Sequence, residues 1–286
     1  MKSEIIKSAS RIVLGTEVYS GNWGIKYSVK DVTKILDFAL EHGVCEIDTA
    51  SSYGDNHFVE RLLGDAITGN RNKLKIASKF HINQLGTNKR LPITTVADIE
   101  KDLTSTLESL NTDYLDIYYF HSGLDEFFFQ DHIWTFLNEL VKKNVIKKLG
   151  LSLNHGLVKS NSNKQLLAVK DYGISVVQTV LNLISREALE VVIPFCNKEG
   201  LEIYGRMPLA KGLLSGKYSS ASVFAENDPR GKDRILTNKI LKKVASEGQK
   251  MNIAYAIQWA LDHTEKIVVG VKTSEQLHGI LSAVNR

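Results

Sequence analysis

Eight short runs rich in Val, Ile and Tyr alternate with longer stretches of helical periodicity, and this alternation constrains the chain more than any other feature. The runs are residues 11–16, 45–48, 74–78, 115–120, 147–152, 175–178, 201–205 and 266–270. They mostly lack an apolar/polar alternation, as expected of strands buried on both faces. Between them, residues 29–43 put Val32, Ile35, Leu36 and Ala39 on one helical face and end at Gly43. Comparable amphipathic patterns cover 57–67, 96–110, 132–144, 163–173, 186–200 and 274–284. A repeat of roughly 30 residues is the size of a βαβ unit, and the alternation implies a parallel sheet. Eight such units in 286 residues predict a closed (β/α)8 TIM barrel. A doubly wound open sheet is the alternative, weakened because no GxGxxG follows the first run.

The segment from about 216 to 250 breaks the rhythm, polar and loop-like at first and then helical. In a barrel it would be an insertion after the seventh strand, near the C-terminal face where ligands bind. No linker rich in Pro, Gly or Ser divides the chain, so residues 1–286 are expected to form one domain.

Net charge is +4, with Lys and Arg spread along the sequence rather than gathered in an aromatic-interleaved block. That favours a small anionic ligand over nucleic acid. Cys45 and Cys196 both sit in apolar segments and are expected to be core thiols, consistent with a cytoplasmic protein. The N-terminus lacks a signal-peptide pattern, and no run reaches the ~18 apolar residues of a membrane span.

In a barrel enzyme the chemistry sits at the C-terminal ends of the strands. Those ends are Asp48 after the second strand, Lys79 after the third and His121 after the fourth, with Tyr53 in the loop beyond Asp48. Each alone has an ordinary structural role: a turn former, a solvated lysine, a packed histidine, a packing aromatic. Together they suit proton transfer at a carbonyl. A free phenol holds its proton up to a pKa of about 10. An adjacent ammonium favours the phenolate, and a carboxylate keeps that ammonium charged and oriented. An imidazole donates a hydrogen bond to a carbonyl oxygen. None of these groups supplies a hydride, so carbonyl reduction requires a nicotinamide cofactor.

DTASSYG (48–54), SKF (78–80) and DIYYFH (116–121) resemble signature segments of the aldo-keto reductases. GLSLNH (150–155), QTVLNLISR (178–186), RMPLAKGLLSGKY (206–218) and VVGVKTSEQL (268–277) continue the resemblance in the family's order. The opening LGT…GNWGI is similar to a bacterial branch associated with sugar or surface-polysaccharide metabolism. The resemblance implies a catalytic tetrad of Asp48, Tyr53, Lys79 and His121, with Tyr53 as general acid. It implies that Ser152 and Gln178 bind the nicotinamide carboxamide. Pro208, Leu209, Ala210, Gly212 and Leu213 match the loop that holds the pyrophosphate, where small residues let backbone N–H groups approach phosphate. Gly15, Thr16, Gly270 and Gln276 fall at further cofactor-side positions.

The pattern departs from the commonest one at several places. Leu153, followed by Asn154, stands where Asn is frequent, and Arg206 replaces the aromatic that stacks on the nicotinamide. Gln276, Gly279 and Ile280 replace residues that grip the adenosine end, leaving Lys272 and Lys266 as candidates for a 2′-phosphate. NADPH is the expected cofactor, with NADH the alternative. Trp23, Asn22 and His81 are substrate-side candidates, and Phe127, Phe128 and Phe129 either shape the pocket or pack a loop on the barrel. The expected partner is a small-molecule carbonyl compound, sugar-derived if the branch resemblance extends to substrate, with no nucleic acid and no membrane, in a monomer or weak oligomer. Two rivals remain: a dinucleotide-binding regulatory or redox-sensing protein with little turnover, and a lyase or isomerase using Lys79 as a Schiff-base amine.

Overall fold

A computed structural model describes residues 8–82, 95–159, 163–226, 228–247 and 252–284. Its strands are β1 Ile12–Gly15, β2 Glu46–Asp48, β3 Lys75–Ile82, β4 Leu115–His121, β5 Ile146–Ser152, β6 Ile174–Val180, β7 Glu202–Arg206 and β8 Lys266–Gly270. Each pairs in parallel with the next, and β1 pairs with β8, so the sheet closes into the expected (β/α)8 barrel. The longer helices are α1 Val29–Glu41, α2 Phe58–Ala66, α3 Val96–Ser109, α4 Asp131–Lys142, α5 Val192–Glu199, α6 Arg234–Glu247, α7 Ile253–Leu261 and α8 Ser274–Val284.

Helix α1 shows how local sequence makes these elements. The Ser28 hydroxyl accepts from Asp31 N while the Asp31 carboxylate accepts from Ser28 N, a reciprocal cap. Val32, Ile35, Leu36 and Ala39 are then buried against the barrel, and Gly43 turns the chain at φ +81°.

Two expected helices are shorter. Residues 163–173 hold only one turn, Lys164–Leu167. Residues 186–200 hold a 3-10 turn, Glu187–Leu189, and then α5. Pro194 has no N–H to donate and is tolerated only in a first helical turn, so α5 begins just before it. In the insertion, Pro229–Lys232 forms a turn capped by Asp228 and α6 follows.

The barrel interior is a layer of Val13, Ala77, Ile117, Tyr119, Val176, Tyr204 and Val268. Gly150 makes room for it: a Cβ there would lie 2.3 Å from the Tyr119 ring. At the N-terminal floor, Lys266 pairs with Glu46 and stands over the Tyr204 ring. This corrects the expectation for Lys266. It opens β8, so it lies at the opposite end from the residues that close the strands and cannot serve a phosphate beside Lys272.

Cys45 is exposed, which corrects its reading as a core thiol, whereas Cys196 is buried. Val44 takes the inward position before β2, and Cys45 faces out at the strand's edge. Burial, with Glu265 nearby, pushes the Cys196 thiol up to about 12. A thiol titration with Ellman's reagent at about pH 8 is expected to find Cys45 alone in the folded protein, and both cysteines in denaturant. Reaction of Cys196 in the folded state would contradict this packing.

Candidate active site

The register brings polar groups together at the C-terminal rim. Gly15 pairs with Asp48, while His121, Ser152 and Gln178 are successive neighbours across β4, β5 and β6. Lys79 lies two residues beyond the interior residue Ala77 and therefore shares its inward face.

Lys79 is 1% exposed. Its ammonium donates to Asp48 Oδ1 at 2.5 Å, to the Thr49 carbonyl at 2.6 Å and to the Tyr53 hydroxyl at 3.2 Å. That accounts for its three protons. The other Asp48 oxygen accepts from Gln178 Nε2 at 2.8 Å, and Ser152 Oγ donates to Gln178 Oε1 at 3.2 Å. One hydrogen-bonded chain thus links Ser152, Gln178, Asp48, Lys79 and Tyr53. The Tyr53 ring meets the His121 ring edge-on, centroids 6.1 Å apart.

The charges follow from this geometry. Burial opposes the Lys79 ammonium, but Asp48 and Tyr53 together outweigh it, and Lys79 is held above its ordinary value. Burial raises the Tyr53 phenol, Lys79 lowers it and Asp48 raises it again, so the net direction is upward. Proximity to the ammonium alone suggested a phenolate; the apolar surroundings prevail and the phenol keeps its proton.

The remaining candidates divide between the rim and the loops. Thr16 is fully buried and donates its hydroxyl to the Asp48 carbonyl at 3.1 Å. Gly270 packs closely on the first loop, where a Cβ would meet Val18 at 2.7 Å. Arg206 closes β7, donates to the Leu153 carbonyl at 3.1 Å, and has a buried Nε with no hydrogen-bond partner among the described residues. The Asn154 side chain bonds the Ser122 carbonyl and Gly156 N, holding the loop after β5. Pro208 is buried, and Ala210 and Leu213 turn their side chains into a small second core with Leu183, Leu241 and Val244. Leu209 packs at the border of both cores. Met207, Ala210, Lys211 and Gly212 have positive φ, and the Ala210 and Leu213 N–H groups close tight turns on the Met207 and Ala210 carbonyls.

Lys272 stands over the Trp23 indole at 4.8 Å, and Gln276 accepts from the Lys272 backbone N–H at 2.9 Å. Trp23 donates to Glu17 at 2.6 Å, and Asn22 is exposed beside it. Phe128 is fully buried with Phe120, Trp134 and Tyr172, so the aromatic run packs a loop onto the barrel through its central ring. The His81 side chain lies outside the described residues.

Sequence reasoning missed Arg230. It is paired with Asp228 and lies over the rings of Phe224, Tyr218 and Trp23 at 4.3, 4.9 and 5.6 Å. The local Asp228-Pro229-Arg230 spacing hints at the pair, but nothing local signals that the distant Trp23 joins Tyr218 and Phe224 around it.

The donor set fits a nicotinamide dinucleotide. Ser152 and Gln178 offer a buried hydroxyl–amide pair, Arg206 offers a planar cation with an unpartnered nitrogen, and the loop after β7 offers amides for phosphate. A barrel of parallel strands with a buried lysine and carboxylate and a half-buried phenol at its C-terminal rim defines a barrel enzyme equipped for proton transfer. The model of the aldo/keto reductase family matches residues 11–286, and the chain belongs to that family.

Its relatives include aldo-keto reductase YhdN of Bacillus subtilis, 28% identical over 270 residues that cover 89% of this chain and 78% of YhdN. Another is the chloroplastic pyridoxal reductase of Arabidopsis thaliana, 26% identical over 309 residues, covering 97% of this chain and 79% of that one. Among solved structures, glycerol dehydrogenase AKR11B4 of Gluconobacter oxydans superposes with a TM-score of 0.78 at 23% identity, covering 96% of this chain and 86% of that one. The last comparison bears on the fold alone. Family membership makes the chain an NAD(P)H-dependent oxidoreductase.

Removing one partner of a buried ion pair leaves an uncompensated charge and costs about 3–5 kcal/mol. Lys79→Met is therefore expected to lower the unfolding free energy by about that amount, and Asp48→Asn/Lys79→Met by less, as read by urea denaturation. The raised phenol fixes a second expectation. A raised folded-state value favours the protonated form, so this share of stability is present below the ordinary value of about 10 and lost as pH climbs through the folded one. Absorbance of wild type minus Tyr53→Phe at about 295 nm should show no tyrosinate from Tyr53 up to about pH 10.

Proposed function

We propose that the chain reduces an aldehyde or ketone with NADPH, with Tyr53 as the general acid. The observation that carries this is the Lys79 ammonium shared by Asp48, the Thr49 carbonyl and the Tyr53 hydroxyl. The bound nicotinamide supplies the hydride that no side chain here can supply. Tyr53 holds the proton that goes to the carbonyl oxygen, and burial keeps it in place until that oxygen becomes basic. Lys79 stabilises the phenolate left behind, and Asp48 keeps Lys79 charged. His121, edge-on to Tyr53, donates a hydrogen bond that orients the carbonyl oxygen.

Ser152 and Gln178 hold the carboxamide, and Arg206 lies against the nicotinamide ring. Gly15, Thr16 and Gly270 shape the floor of the cleft, and the loop of Pro208, Leu209, Ala210, Gly212 and Leu213 receives the pyrophosphate. Lys272 suits a 2′-phosphate: burial and then Arg230 hold it below its ordinary value, and an added anion relieves both. Gln276, exposed and engaged with the Lys272 backbone, supports that loop, and NADH is the weaker alternative. A Schiff-base reading is disfavoured because Lys79 is held as an ammonium, whereas such chemistry needs a neutral amine.

Trp23 borders the substrate side, His81 is retained as a substrate-side candidate from the sequence alone, and the substrate is a small polar carbonyl compound. Pyridoxal is a first candidate because one relative is a pyridoxal reductase. We further read residues 1–286 as one cytoplasmic domain, monomeric or weakly associated, without nucleic-acid or membrane partners. Among the described residues no helix is long and apolar enough to cross a membrane.

Fluorescence titration is expected to show saturable binding of NADPH, tighter than NADH. Lys272→Met should weaken NADPH about 10-fold or more and leave NADH nearly unchanged. Tyr53→Phe should keep binding but lose at least about 100-fold in turnover. Full binding by a wild type without turnover on any carbonyl would favour a regulatory protein instead. No binding of either nucleotide would sink the proposal.

A further inference from the structure

A second buried polar cluster lies outside the barrel wall, between α2, β3, α3 and β4. Its hub is Glu60, which is fully buried. Glu60 Oε1 accepts from Ser78 Oγ at 2.5 Å, and Oε2 accepts from Thr106 Oγ1 at 3.1 Å and from His57 Nδ1 at 2.5 Å. The other His57 nitrogen, Nε2, lies 3.7 Å from Asp102 Oδ1, and Asp102 Oδ2 accepts from the Tyr118 hydroxyl at 3.2 Å. The imidazole is thus gripped by carboxylates from two helices.

The cluster touches the rim from both sides. Ser78 immediately precedes Lys79. His57 ends the loop that carries Tyr53, and the Val59 N–H closes that loop on the Tyr53 carbonyl at 3.2 Å. The loop also contains two successive non-glycine residues in the left-handed region, Asn56 at φ 47° and His57 at φ 57°. Such a conformation persists only where surrounding contacts over-determine it.

We propose that His57, clamped between Glu60 and Asp102, is a positioning residue for Tyr53. The clamp fixes the end of the loop to the same carboxylate that holds the strand of Lys79, so phenol and ammonium keep one separation. This rests on the reading of Tyr53 as the proton donor.

The test is His57→Asn, because Asn tolerates the left-handed backbone but cannot bridge the two carboxylates. We expect kcat to fall about tenfold or more, with carbonyl KM and NADPH Kd unchanged. Adding His57→Asn to Tyr53→Phe should cause no further loss, since the clamp acts through the phenol. Hydrogen exchange of the Val59 amide should quicken. Asp102→Asn, which loosens the clamp from outside, should shift kcat and exchange in the same direction and serves if His57→Asn fails to fold. Unchanged kcat and exchange, or losses that multiply in the double variant, would overturn the proposal. If the wild type reduces no carbonyl, the functional reading fails by itself, and Val59 exchange alone then decides the clamp.

Discussion

The rim depends on one constraint, a lysine ammonium removed from water. Burying a charge is tolerated only when it is paired and fully hydrogen-bonded. Lys79 meets that condition by using each proton: one on the Asp48 carboxylate, one on a backbone carbonyl, one on a phenol. The carboxylate is tied in turn to Gln178, 130 residues further along the chain, and only a closed barrel brings those strands face to face. Solvating Lys79 would therefore break more than a single contact, because the loop after β2, the strand β3 and the amide on β6 all converge on it.

The interior layer gives this charge a direction. Below the rim lie Val13, Ile117, Val176 and Val268, with the Tyr119 and Tyr204 rings. Below those is the floor, where Lys266 pairs with Glu46, and where burial and Glu46 raise Tyr204 far above the ordinary phenol range. Each end of the barrel pairs its own lysine with a carboxylate, and a largely apolar layer separates the two pairs. The same layer explains Gly150, since the Tyr119 ring fills the space that a side chain on β5 would occupy.

Much of this was legible in the sequence, and the exceptions have physical causes. The eight apolar runs and the polar residue ending three of them predict the barrel and the Asp48–Lys79–Tyr53 contact, because strand ends in a parallel barrel share one rim. The resemblance to aldo-keto reductases is matched by the family model, but resemblance says nothing of a residue's surroundings. Lys266 was misplaced because a residue that opens a strand lies at the other end from one that closes it, a matter of polarity that nearness in sequence hides. Cys45 and Phe128 show the limit of an apolar run. One neighbour in it faces inward and the next outward, and only the closed sheet decides which. The direction of the Tyr53 shift depends on how much apolar matter surrounds the phenol, a quantity spread over residues from several strands. The His57 cluster joins α2, β3, α3 and β4, so no single window of sequence contains it.

The two ends of the cleft are built on different interactions. At the chemical end a buried charge network fixes side chains that belong to the barrel wall. At the far end the insertion is anchored on one side by the small core of Leu183, Leu213, Leu241 and Val244, and on the other by Arg230 against three rings. Cation–ring contacts contribute about 0.5–2 kcal/mol each, less than the cost of uncovering a buried ion pair. Summed over the three rings they reach about the same order, so the insertion, like the rim, is held by one charged side chain with several partners.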